Sequence, residues 1–130
     1  MVKKFLIVED NESIRRLYED VLADKGVEAQ YAATAADAQE LFNPREYDAV
    51  ITDMSLPLHP GEDPSSRAGR TLIRYVRAND RTIPIVLASS HSDYVQAPQE
   101  RVYVLEKPFN VVELARILDL IPERLDKQAA

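Results

Sequence analysis

The chain has 130 residues, a formal net charge of −6 from 16 basic and 22 acidic side chains, and no cysteine. That length describes one domain, able to bury roughly two thirds of its unfolded surface without staples. Disulfides, thiolate metal sites and cysteine nucleophiles are excluded, the acidity argues against direct nucleic-acid binding, and no apolar run approaches the roughly 20 residues of a membrane span.

Strand-like and helix-like segments alternate along the chain. Met1-Val2-Lys3-Lys4-Phe5 runs into a strand at 3–9 with no signal-peptide cleavage region, so a cytoplasmic location is expected. Residues 12–25 place Ile14, Leu17, Tyr18, Val21 and Leu22 at helical spacing, with Gly26 just past the end. Val27 to Ala33 reads as a weaker strand. Residues 35–42 predict a short helix closed by Asn43-Pro44, and 48–53 a third strand. Met54 to Gly69 holds three of the eight prolines and two of the three glycines, which is loop chemistry. Helical spacing returns over 70–79 with Leu72, Ile73 and Val76. Pro84 opens a fourth strand, 91–100 is short, polar and interrupted by Pro98, and 102–106 is a fifth strand. Asn110 with Glu113 three residues on predicts a capping box for a last helix, which Pro122 should bend or stop. The domain is assigned to 1–126, with 127–130 a frayed tail.

Four of the apolar runs stop abruptly at polar groups: Glu9-Asp10, Asp53, Ser89-Ser90 and Glu106-Lys107. Near-continuous apolar runs suit parallel strands buried on both faces. The expected fold is α/β: a flavodoxin-like, doubly wound, five-stranded parallel sheet in the order 2-1-3-4-5 with helices on both faces. Ligands of such sheets bind beyond the carboxyl ends of the strands, at the point where the strand order reverses. Glu9, Asp10, Asp53, Ser89 and Lys107 should therefore converge. Clustered carboxylates repel one another unless compensated, and a hard divalent cation such as Mg2+ does so with carboxylates, water and phosphate oxygens. Adding a lysine and a hydroxyl makes an assembly suited to moving a phosphoryl group onto a carboxylate. Asp10 is also well placed to cap the following helix, and His59 and His91 have no partner pattern.

The motifs Val8-Glu9-Asp10-Asn11, Ile51-Thr52-Asp53-Met54-Ser55-Leu56-Pro57, Ala88-Ser89-Ser90 and Glu106-Lys107-Pro108-Phe109 follow one another in order. With them the chain, from Lys3 to about Leu125, resembles the receiver domain of two-component response regulators of the chemotaxis type. The resemblance implies that Asp53 is the phosphoacceptor. It implies Mg2+ held by Asp10 and Asp53, by Glu9 mainly through water, and by the backbone carbonyl of Ser55. Ser89 and Lys107 would bind phosphoryl oxygens, and the Lys107–Pro108 peptide would be cis. A histidine kinase or histidine phosphotransfer protein would be the donor, and an unnamed output protein the recipient of the signal.

Two departures from that pattern stand out. About eight extra residues lie within Leu58 to Ala68. They read either as a tolerated surface loop or as a lid or partner contact beside the site, where Arg67 or Arg70 would sense added charge. Ser89 and Lys107 are only 18 positions apart, so 91–101 should hold no full-length helix. The position three before the lysine, where the family carries an aromatic switch residue, is Val104; Tyr103 beside it faces the other side of a strand. An interaction module with receiver fold that works without phosphorylation is the alternative. An aspartyl phosphohydrolase would need a second aspartate as general acid where Ser55 stands.

Overall fold

The computed structural model describes residues 3–90 and 101–124. Five parallel strands form one sheet: β1 (Lys4–Val8), β2 (Glu28–Ala32), β3 (Ala49–Asp53), β4 (Ile85–Ser89) and β5 (Val102–Glu106). Their order is β2-β1-β3-β4-β5, as expected. The helices are α1 (Glu12–Asp24), α2 (Ala35–Leu41), α3 (Ser66–Asn79) and α4 (Val111–Leu120). The expected short fourth unit at 91–100 and the frayed 127–130 tail lie outside the described residues.

Alternation along each strand divides the core in two. Leu6, Val8, Val50, Ile85 and Leu87 face α2 and α3, packing with Leu72, Ile73 and Val76. Phe5, Ile7, Ala49, Ile51, Val86 and Leu105 face α1 and α4, packing with Tyr18, Leu22, Leu114 and Leu118. Because both faces are covered, β1, β3 and β4 are apolar at nearly every position, which is the origin of the unbroken runs in the sequence.

Each helix begins at a side-chain cap: Asn11, Thr34, Ser65 and Asn110 accept from backbone N–H groups of α1, α2, α3 and α4 respectively. A cap of this kind contributes about 1 kcal/mol. At α4 the box is complete, with Glu113 N–H donating to Asn110 Oδ1 at 2.8 Å and Asn110 N–H to Glu113 Oε1 at 3.2 Å. The helix stops at Leu120, before Pro122. Because Asn11 caps α1, Asp10 is not used as a cap.

The loop after β3 differs from expectation. α3 begins at Ser66, four residues before the apolar pattern does, because its first turn is polar and relies on Ser65 rather than on periodicity. Gly69 lies inside the helix, where a Cβ would run into the backbone of Met54. Ahead of α3, Leu56 and Ser65 exchange both backbone hydrogen bonds, at 3.3 and 2.9 Å. A turn closes the tip, with Glu62 N–H donating to His59 O at 3.1 Å and Gly61 at φ 85°. The first two N–H groups of α2, Ala35 and Ala36, donate to Pro57 O and Leu58 O. The inserted residues thus form an ordered arm pinned to α2, exposed from His59 to Ser65.

Candidate functional site

Strand register brings the site together. Val8 lies opposite Thr52, so Glu9 falls beside Asp53. Asp53 lies opposite Ala88, and Ser89 opposite Glu106, so Ser89 and Lys107 fall at the same level of the sheet. Parity then sorts the side chains. Glu9 continues the series Phe5, Ile7; Asp53 continues Ala49, Ile51; Lys107 continues Tyr103, Leu105. All three series face α1 and α4. Ser89 continues Ile85 and Leu87 on the α2–α3 face. Its hydroxyl donates to Ser90 O at 2.9 Å and is buried.

Lys107 Nζ is 2.6 Å from Asp53 Oδ2, the lysine side chain 27% exposed and the aspartate 6%. Ser55 N–H donates to Asp53 Oδ1 at 3.3 Å. Asn11 N–H donates to Glu9 Oε2 at 3.1 Å. The Lys107–Pro108 peptide is cis, as the resemblance implied. One carboxylate oxygen from each of Glu9, Asp10 and Asp53 lies within 4.8 Å of the others, Glu9 and Asp53 buried and Asp10 exposed. Burial first, and then the charge of Asp53, push the Glu9 carboxyl up to about 7 against the opposing pull of Asn11 N–H and Lys107. Burial also raises Asp53, with Lys107 and Ser55 N–H acting against it and Asp10 adding to it.

This donor set fits a hard cation. It offers only oxygens, it is open on the Asp10 side, and Glu9 Oε1 is buried with no hydrogen-bond partner among the described residues. A divalent ion would relieve both the repulsion that raises Glu9 and the orphaned oxygen. Among the described residues the cluster can therefore hold a metal ion.

Other expected residues lie apart from this centre. Arg67 and Arg70 are exposed on α3, and His59 is exposed on the arm. His91 lies outside the described residues. Tyr103 packs with the α1–α4 core while Val104 is 38% exposed, so the tyrosine does not stand in for the residue three before Lys107. Two features of the packing beneath the site are not legible in the sequence. Gly69 read only as punctuation before a helix, although a glycine near a helix start also signals close backbone approach. Tyr18 read only as an apolar position, although its hydroxyl was a signal in a place where the helical period asks for none.

Comparison with known proteins agrees with this geometry. The sequence model of the "Response regulator receiver domain" family matches residues 5–119. Chemotaxis protein CheY-3 of Vibrio cholerae is 29% identical over 130 residues, covering 94% of this chain and 93% of that protein. A response regulator receiver protein of Anaeromyxobacter sp. is also 29% identical, over 92% of this chain, but the chain spans 47% of its length. Among solved structures, a CheY-like receiver domain from Methylobacillus flagellatus aligns with a TM-score of 0.73 at 28% identity, over 94% of this chain and 100% of that one. The receiver domain of a sensor histidine kinase from Pseudomonas aeruginosa, solved with a magnesium ion coordinated in its active-site cleft, aligns with a TM-score of 0.71 at 27% identity, over 93% of this chain and 98% of that one. The chain belongs to the response regulator receiver domain family, the signalling domain of two-component systems.

Proposed function

We propose that Asp53 accepts a phosphoryl group from a histidine kinase or a histidine phosphotransfer protein, and that the phosphorylated domain signals through protein contacts in the cytoplasm. The observation that carries this reading is the position of Asp53: buried at the end of β3, within 4.8 Å of two further carboxylates, with Lys107 Nζ at 2.6 Å. A carboxylate oxygen of Asp53 attacks phosphorus, the phosphorus–nitrogen bond to the donor histidine breaks, and that nitrogen keeps the electron pair. The residues that would hold Mg2+ are Asp10 and Asp53, with Glu9 behind them and the Ser55 backbone carbonyl completing the protein ligands. When bound, the ion neutralises charge on the phosphoryl oxygens.

The remaining tasks belong to the chain. Lys107 releases Asp53 Oδ2 and pairs with a phosphoryl oxygen. The Ser89 hydroxyl turns from Ser90 O to donate to another, which its opposite parity makes a movement rather than a standing contact. Positioning and charge neutralisation account for most of the catalysis in phosphoryl transfer. Autodephosphorylation follows by attack of water on phosphorus, returning inorganic phosphate and the free Asp53 carboxylate. Ser55 occupies the place where an aspartyl phosphohydrolase would carry its second aspartate.

The test is incubation with acetyl phosphate and magnesium, read by intact mass. One acid-labile phosphoryl group should be gained by the unmutated chain and none by Asp53→Asn. Stoichiometric phosphorylation of Asp53→Asn would displace the assignment. No phosphorylation of either chain by acetyl phosphate or a histidine kinase would favour an interaction module that works without phosphate.

A further inference from the structure

α3 carries a row of arginines in a chain whose net charge is −6. Arg67, Arg70, Arg74 and Arg77 recur at the spacing that keeps side chains on one stripe of a helix, and Arg81 follows just past its end. At ~1.5 Å per residue the stripe runs about 15 Å from Arg67 to Arg77. α3 contains no Asp, Glu or Lys. Arg67, Arg70, Arg74 and Arg81 are exposed, and none of them forms an ion pair among the described residues.

The row does not serve the helix itself. Like charges three and four residues apart destabilise a helix, and no carboxylate on α3 offsets them. α1 shows the ordinary arrangement, in which Arg16 pairs with Glu12 one turn back at 3.0 Å. Packing of α3 is left to Ala68, Gly69, Leu72, Ile73 and Val76 on its buried side. That seat is firm: Gly69 lies against the backbone of Met54, and Arg77 donates to Ile83 O at 2.7 Å and to Arg101 O at 3.2 Å. Arg67, Arg70 and Arg74 are thus presented in line on a fixed scaffold, each a planar fork that matches a carboxylate or a phosphate.

The borders of the row select its partner. The arm exposes Glu62 and Asp63 ahead of α3, and α2, which packs on α3, exposes Asp37 and Glu40. A nucleic-acid duplex would bring phosphates up to these carboxylates as well as to the arginines. A second copy docked α3 to α3 about a two-fold axis would set arginine against arginine. A slender segment with carboxylates along one side meets neither obstacle. The arginines recur once per turn, so carboxylates recurring once per turn of a second helix laid alongside meet them in register.

We propose that the exposed face of α3 docks an acidic helical segment of a partner protein, with carboxylates at i, i+3 and i+7 of that segment pairing with Arg67, Arg70 and Arg74. Exposed ion pairs are individually weak, so the row acts through several at once, and its charge sets partner choice and association rate. Docking requires no phosphoryl group on Asp53, so it stands apart from the phosphoacceptor reading.

The test is fluorescence anisotropy with a labelled, alanine-rich helical peptide of about 18 residues that carries glutamates along one face at this spacing. The unmutated chain should bind it, and more weakly at about 200 mM than at about 50 mM salt. Arg67→Glu/Arg70→Glu/Arg74→Glu should lower affinity about 10-fold or more, while Arg15→Glu/Arg16→Glu on α1 leaves it unchanged. Arg70→Gln/Arg74→Gln, which adds no negative charge, should weaken binding in the same direction and decides the matter if the triple variant is unfolded by circular dichroism. Absence of binding by the unmutated chain, or equal affinity in the α3 variants, would overturn the proposal. Equal affinity for a peptide of the same composition with its glutamates spread around the helix would overturn the registered pairing. Tighter binding of a labelled DNA duplex than of the peptide would make the row a nucleic-acid surface instead.

Discussion

Glu9 and Asp10 are adjacent residues with opposite physical situations. Glu9 is 1% exposed and its carboxyl is raised to about 7, burial being the main cause. In an unfolded chain a glutamate titrates near ~4.3. Between these values the folded state binds the extra proton, so this group lowers stability as pH rises through that window. The penalty is absent below about pH 4 and complete above about pH 7, on the order of 3 kcal/mol. Glu9→Gln should accordingly stabilise the metal-free protein over wild type by about 1–3 kcal/mol at pH 8 and by nothing at pH 4, as measured by urea unfolding. A gain that is the same at both pH values would show that charge is not its cause. Asp10 is exposed and is not a helix cap. Asp10→Ala should abolish magnesium binding in calorimetry yet shift stability by no more than ~0.5 kcal/mol. Retained affinity would remove Asp10 from the metal site.

At the scale of elements, α3 and the arm before it depend on close backbone approach. Helix propensity alone says that Gly→Ala in a helix gains about 1 kcal/mol. At Gly69 the added Cβ meets the backbone of Met54, which cannot yield as a flexible side chain would. Overpacking of this kind typically costs 1–3 kcal/mol or more, so the clash wins. Gly69→Ala should destabilise by about 2 kcal/mol in thermal unfolding; a rise in Tm would mean that α3 is not seated on Met54. The arm closes through Leu56 and Ser65 and is pinned by Ala35 and Ala36, and it starts three residues after Asp53. With a phosphoryl mimic and magnesium bound, amide exchange at 56–65 should change, because Ser55 N–H and the arm that follows it respond to a group added at Asp53. No change in those amides, with the response confined to β4 and β5, would exclude the arm from signalling.

Across the whole molecule, Arg124 ties together loops from both sides of the sheet. It follows α4 on one face, yet its guanidinium donates to Pro44 O at 3.3 Å and Tyr47 O at 3.1 Å and lies 2.7 Å from Asp80 Oδ2 beside the end of α3. Both side chains are 2% exposed. Asp80 also receives the N–H groups of Thr82 and Ile83, so it is fixed before the pair forms. Removing one partner of a buried pair strands the other charge, and Arg124→Ala should cost about 3 kcal/mol or more in urea unfolding. A change below ~0.5 kcal/mol would show that the strap contributes nothing. None of this could be read from the sequence, in which Arg124 is one more charged residue near a chain end. The sequence by itself determined the five strands, their order, the caps at Asn110 and Glu113, and the level at which Glu9, Asp53, Ser89 and Lys107 end their strands. Those features depend on local periodicity and on where apolar runs stop, and both are written within a few residues. The tertiary structure decided that Asn11 rather than Asp10 caps α1, that α3 starts at a polar turn, and that the Ser89 side chain stands on the other face from Asp53. It also decided that Tyr18 carries an unpaired hydroxyl in the layer of Glu9, and that Arg124 reaches Asp80, because each depends on which distant groups share a buried space.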